Sequence, residues 1–151
     1  MSTLTPEKRV EDALLSYLTE INAYAIKNQA SATTGKGRPD ISACINGRYV
    51  AIEVKHGKGT SKTTLMQYNH LIRIARAKGL AYYVNNVEDF KANIEILLKM
   101  STSNWVKVTP DMRTPKVFLS SLNGLLHKYT ILRINKKGEI LVLKTIKGSI
   151  K

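Results

Sequence analysis

Apolar residues along this chain recur first at helical spacing. Val10, Ala13, Leu14, Tyr17, Leu18 and Ile21 fall at i, i+3, i+4, i+7, i+8 and i+11, which predicts an amphipathic helix reaching about residue 22. Thr5-Pro6 stands in front of it, with threonine as cap and proline at the first helical position. Residues 23–29 read as a strand, and residues 30–38, rich in Ser, Thr, Gly and Lys, as a basic loop. From Ile41 the chain is β-prone and alternating, and Asn46-Gly47 supplies a two-residue hairpin turn. Such a turn pairs Ile45 with Arg48, so opposed residues carry numbers that sum to 93. Ile41 then faces Ile52, and Asp40 faces Glu53. Cross-strand partners share a face, so Ile41, Val50, Ile52 and Val54 belong to a core side. Asp40, Glu53 and Lys55 belong to the other. A three-residue loop would shift the sum to 92 and set Asp40 against Ile52.

A second glycine-rich basic loop, His56-Gly-Lys-Gly-Thr-Ser-Lys62, precedes a helix predicted over residues 63–78. Leu65, Leu71, Ile72, Ile74 and Ala75 form its expected buried side, with Gly79 as its C-terminal stop. Residues 80–85 read as a strand and residues 87–100 as one amphipathic helix through Phe90, Ile94, Leu97 and Leu98. Residues 101–113 are polar and turn-rich. Thr114-Pro115 opens a further capped helix to about residue 127, interrupted at Asn123-Gly124. A last hairpin, residues 129–134 and 139–146, flanks Asn135-Lys-Lys-Gly138. The order predicts an α/β fold, a mixed central sheet with helices on its faces. A core over residues 1–100 is followed by an extension over 101–151 packed on it, consisting of a helix and a β-hairpin.

The length of 151 residues suits one domain with a real core. Hydrophobic and charged contents of 43% and 23% are those of a soluble globular chain. No apolar run reaches membrane-spanning length, and the first residues lack a signal peptide's apolar region, so a cytoplasmic protein is expected. The single cysteine, Cys44, excludes an internal disulfide and reads as a small buried hydrophobe. The net charge of +13 points to a polyanionic partner. Ten basic residues against two acidic ones after residue 100 concentrate that charge in the extension, which suits DNA binding or dimerisation.

Two opposed carboxylates repel each other unless a cation lies between them. Hard oxygen donors such as Asp40 and Glu53 suit Mg²⁺ or Mn²⁺. Taken singly, Asp40 reads as a turn aspartate and Glu53 and Lys55 as the solvated side of an edge strand. The basic loops are not a phosphate-binding Walker loop, because no Gly-Lys-Ser/Thr follows the required spacing. His56, His70 and His127 show no ligand spacing.

Pro39-Asp40 followed by Glu53-Val54-Lys55 resembles the signature of the PD-(D/E)XK nuclease superfamily. The likeness covers roughly residues 5–100, and Gln67, early in the helix after the lysine, resembles the VRR-NUC (virus-type replication-repair nuclease) group and the related Holliday junction resolvases. The resemblance implies a restriction-endonuclease-like core and Mg²⁺- or Mn²⁺-dependent hydrolysis of DNA. Asp40, Glu53 and the Val54 carbonyl would hold the metal, with Lys55 and Gln67 at the water. A first-helix glutamate commonly completes the set; Glu11 fits best and Glu7 is the runner-up. Lys36, Arg38, Lys58 and Lys62 would grip the phosphate backbone. Small stand-alone members of the group are phage-type homodimers acting on branched DNA such as four-way junctions. The competing expectations are a non-catalytic DNA-binding protein on the same fold and a restriction endonuclease.

Overall fold

The computed structural model describes residues 5–28, 37–56, 63–101 and 103–144. Helix α1 (Pro6–Glu20) leads into β1 (Tyr24–Lys27), and β2 (Ile41–Ile45) and β3 (Arg48–Val54) form the hairpin. Helix α2 (Leu65–Arg76), strand β4 (Leu80–Val84) and the short helices α3 (Val87–Ala92) and α4 (Ile94–Leu97) follow. The described residues end with β5 (Trp105–Val108), α5 (Pro115–Lys128), β6 (Ile131–Ile134) and β7 (Ile140–Leu143); the expected continuation of the last strand to residue 146 lies outside them. The seven strands make one sheet in the order β1-β2-β3-β4-β6-β7-β5. Among the described residues only β3 and β4 pair in parallel, joined as a strand–helix–strand unit through α2.

The hairpin register is the one the two-residue turn dictates. Ile45 pairs with Arg48 and Ile41 with Ile52, and Asn46 (φ 49°) and Gly47 (φ 78°) both take the left-handed conformation that matches strand twist. The strands thereby divide their side chains between two cores. Val50, Ile52, Val54 and Ile41 pack with Leu14 and Leu18 of α1 and Phe90 of α3 on one face. Ala51 and Tyr83 pack with Leu71 of α2 and Phe118 and Leu122 of α5 on the other. Cys44 falls on the second face beyond the reach of α2 and is exposed, so it is not the buried hydrophobe expected.

Several local expectations yield to packing. The helix after residue 86 breaks at Asn93, whose side-chain amide donates to the Asp89 carbonyl and whose backbone leaves helical geometry. Asn123-Gly124 does not interrupt α5, because Phe118, Leu122 and Leu126 are buried against the sheet and that burial outweighs the weak helix preference of Asn and Gly. Leu65 is 37% exposed while Tyr68 is buried, shifting the inner face of α2 by one turn-neighbour. The left-handed residue after α2 is Lys78 (φ 71°) rather than Gly79. Gly79 instead permits a close approach: a Cβ there would meet Ile74 Cγ2 at 2.8 Å.

The polar stretch after residue 100 contains a strand, β5, which pairs antiparallel with β7. Trp105 anchors it, stacking on Tyr82 with centroids 5.9 Å apart. The extension is thus the second half of the sheet, since β6 lies against β4 along Tyr82 to Val84. Tyr68 of α2 donates a hydrogen bond to the Gly138 carbonyl and meets Phe118 edge-on at 4.9 Å. Among the described residues no helix is long and apolar enough to cross a membrane.

Candidate active site

Asp40 ends the loop entering β2, and its position is fixed from both sides. The Asn28 backbone N–H donates to the Asp40 carbonyl (2.8 Å), and the Asn28 amide donates to the Pro39 carbonyl (2.9 Å). The Val54 N–H donates to Asp40 Oδ2 at 2.7 Å, tying the aspartate to the end of β3. One residue earlier on β3 is Glu53, one later Lys55, and each is only 2% exposed. Both point to the face covered by α2.

Gln67 joins these two charges. Its Nε2 donates to Glu53 Oε2 (3.2 Å), and Lys55 Nζ donates to its Oε1 (3.3 Å). The glutamine is also the third helical residue of α2 and closes a capping box with Thr64: the Gln67 N–H donates to Thr64 Oγ1 and the Thr64 N–H to Gln67 Oε1. Lys55 Nζ lies 3.7 Å from Glu53 Oε2.

The third carboxylate comes from α1, and it is Glu7. Carboxylate oxygens of Glu7, Asp40 and Glu53 all lie within 4.8 Å of one another, a group able to hold a metal ion. Glu11, the glutamate expected there, does not join them. It lies one turn further along the helix and its Oε1 is 3.2 Å from Lys27 Nζ on β1. Glu7 is in the first turn of α1, so it is that turn, and not the next, that the packing of the helix brings beside Asp40 and Glu53.

The electrostatics are those of an acidic cluster that is half-buried at Glu7 and Asp40 and fully buried at Glu53. Burial, and then the neighbouring charge of Asp40, holds the Glu53 carboxyl well above its ordinary value, with Lys55 pulling the other way. Glu53 Oε1 is buried and accepts no hydrogen bond among the described residues. Tyr83, opposite Glu53 on β4, is raised by burial and by that glutamate. An oxygen-only donor set with an unsatisfied buried carboxylate oxygen fits a hard divalent cation.

Arg38 is exposed, two residues before Asp40. Lys36, Lys58 and Lys62 lie outside the described residues. Gly37, which carried no weight in the sequence, abuts the start of α2. It has φ 81°, and a Cβ there would come within 2.6 Å of Met66 Cβ and 2.8 Å of the Met66 carbonyl carbon. Asn28, Thr64 and Gly37 hold Asp40 and Gln67 in place, and their signals in the sequence are those of ordinary caps and turns.

A mixed sheet with a hairpin and a crossover helix converging on three carboxylates, a lysine and a glutamine defines an α/β, restriction-endonuclease-like fold. The comparison with solved structures agrees. The chain is similar to a structure described as a VRR_NUC domain, with a TM-score of 0.51 and 18% sequence identity over 61% of this chain and 97% of that one. At that identity the likeness establishes the fold. No protein-family model and no curated protein matches the chain.

Proposed function

We propose that this protein is a divalent-metal-dependent nuclease that hydrolyses phosphodiester bonds in DNA. The observation that carries the reading is the convergence of Glu7, Asp40 and Glu53 beside the Lys55–Gln67 pair. The fold shared with a VRR_NUC domain supports it, and the net charge of +13 suits a polyanionic substrate.

Glu7, Asp40 and Glu53 would hold Mg²⁺ or Mn²⁺. In an extended strand the N–H and C=O of one residue point to the same edge, so the Val54 carbonyl opens on the side of Asp40 and can join the set. A divalent ion held there supplies positive charge to the reacting phosphate and makes water a stronger nucleophile. Lys55 adds a fixed positive charge next to it. Its ammonium, oriented by Gln67, stabilises the negative charge that develops on the phosphate oxygens and positions the attacking water. Gln67 holds Glu53 in the same grip, so carboxylate and ammonium keep a fixed spacing.

Selectivity for branched DNA such as four-way junctions, a homodimer making two symmetric cuts, and kinship with Holliday junction resolvases complete the proposal. The test is cleavage of labelled single-stranded, duplex, forked and four-way-junction DNA in Mg²⁺, Mn²⁺ or EDTA, for wild type and Asp40→Ala. Metal-dependent cutting that Asp40→Ala abolishes supports the nuclease. Tight binding with no cutting in either metal would make the protein a DNA-binding module on this fold.

A further inference from the structure

The far end of α2 carries a second concentration of charge. A groove of about 540 Å³ opens there between the C-terminus of the helix and the β6–β7 turn. Arg76, Lys78, Arg133, Lys136 and Lys137 line it, from three separate segments, against one carboxylate, Glu139. That carboxylate is already engaged, by Lys107 Nζ at 3.0 Å and by the Asn135 amide at 3.0 Å. Among the described residues none of the five cations forms an ion pair. Five positive side chains held near one another against a single carboxylate, which Lys107 and Lys137 both attract, repel each other, and a bound polyanion would relieve that repulsion.

The groove is built rather than incidental. The turn that carries Lys136 and Lys137 is clamped along α2 at three levels. Tyr68 donates to the Gly138 carbonyl, Ile72 closes on Gly138, and Arg76 Nε donates to the Lys136 carbonyl at 3.2 Å. Arg133, only 7% exposed, is fixed over the Trp105 ring and donates to the Ser101 carbonyl. Between the two ends of the helix, exposed Asn69 and Arg73 lie on the same side as Arg76, at i, i+4 and i+7.

We infer that this groove is a second nucleic-acid site, taking backbone phosphates of the same duplex that enters the carboxylate cluster at the other end of α2. Gln67 and Arg76 are nine residues apart, so the two ends are ~14 Å apart along the helix axis at 1.5 Å per residue and half a turn apart around it. The groove would therefore meet phosphates of that duplex other than those flanking the bond at the cluster. The placement of that bond rests on the nuclease reading; the binding of the groove does not.

The test compares wild type with the triple variant Lys78→Gln/Lys136→Gln/Lys137→Gln, and with a charge-matched control, Lys91→Gln/Lys116→Gln/Lys128→Gln. Binding of a 20-base-pair duplex is followed by fluorescence anisotropy in EDTA over a range of salt concentrations. The groove variant is expected to bind about tenfold or more weaker at 0.1 M salt, with a salt slope shallower by about one to three, while the control changes less. Ethylation interference should lose its signal at phosphates away from the bond at the cluster while keeping it at those flanking that bond. Equal affinity and slope for the groove variant and the control would overturn the inference. If the groove variant loses binding while wild type cuts no DNA in any metal, the groove stands and the nuclease reading falls.

Discussion

Lys55 Nζ donates to Gln67 Oε1 at 3.3 Å, so a lysine at the end of a strand and a glutamine in the first turn of the next helix act as one unit. The same amide donates to Glu53 and closes the cap of α2. On the proposed function, chemistry and folding therefore meet in one side chain, and the two can be separated by experiment.

Gln67→Ala removes the bond that orients Lys55. A hydrogen bond to a charged group contributes about 1.5–3 kcal/mol, so single-turnover cleavage should fall roughly 10- to 100-fold. Thr64→Ala removes the cap at a cost of about 1 kcal/mol but leaves the bonds to Lys55 and Glu53. It should lower the melting temperature while keeping most of the cleavage rate. Equal rate losses in both variants would reduce Gln67 to a helix cap.

Glu7→Gln should abolish most cleavage and weaken stabilisation of the protein by Mg²⁺. Glu11→Gln loses the contact with Lys27 and should cost no more than about 1 kcal/mol of stability, with cleavage nearly unchanged. Loss of metal response in Glu11→Gln but not in Glu7→Gln would return the ligand role to Glu11.

The raised Glu53 carboxyl makes a pH prediction of definite sign. The folded state holds the proton above the ordinary value of 4.5, where the unfolded chain has released it. This contribution to stability is fully present below 4.5 and is lost as pH rises through the elevated folded value. Without metal, Glu53→Gln should therefore melt higher than wild type near pH 8, and the gap should close as pH falls toward 4.5. Adding Mg²⁺ should raise the melting temperature of wild type at pH 8 and not that of the variant. A pH-independent gap between the two would show that charge on Glu53 is not the cause.

Gly37→Ala puts a Cβ against Met66 in a left-handed backbone. The strain falls on the loop that ends in Asp40 and on the turn that carries Gln67. Cleavage should drop at least about tenfold while thermal stability falls by roughly 1–2 kcal/mol. Full activity in Gly37→Ala would mean that this loop does not position Asp40.

The hairpin was legible because its signals are local. Asn46-Gly47 determines the turn, and a period of two then assigns every side chain to a face. That places Glu53 and Lys55 together on the face opposite Ile52, and Asp40 at the end of β2, before any tertiary contact is considered. Thr5-Pro6 and Thr114-Pro115 mark helix starts for the same reason. Strand β5 was not legible, because Lys107 and the polar residues around Trp105 hide a strand whose stability comes from pairing with β7 and stacking on Tyr82. The continuity of α5 through Asn123-Gly124 likewise reflects burial of its neighbours rather than its own preferences.

The sequence by itself determined the α/β order, the hairpin register and the pairing of an aspartate and a glutamate with a lysine, since each depends on neighbours close along the chain. The tertiary structure decided that Glu7 rather than Glu11 meets them, because that depends on how α1 packs against strands distant from it along the chain. It also decided that the last third of the chain completes the sheet through β6 against β4, and that Arg76, Lys78 and the 135–138 turn form one groove. Those relations are set by long-range packing, where residues far apart in the chain find each other only once both cores have closed.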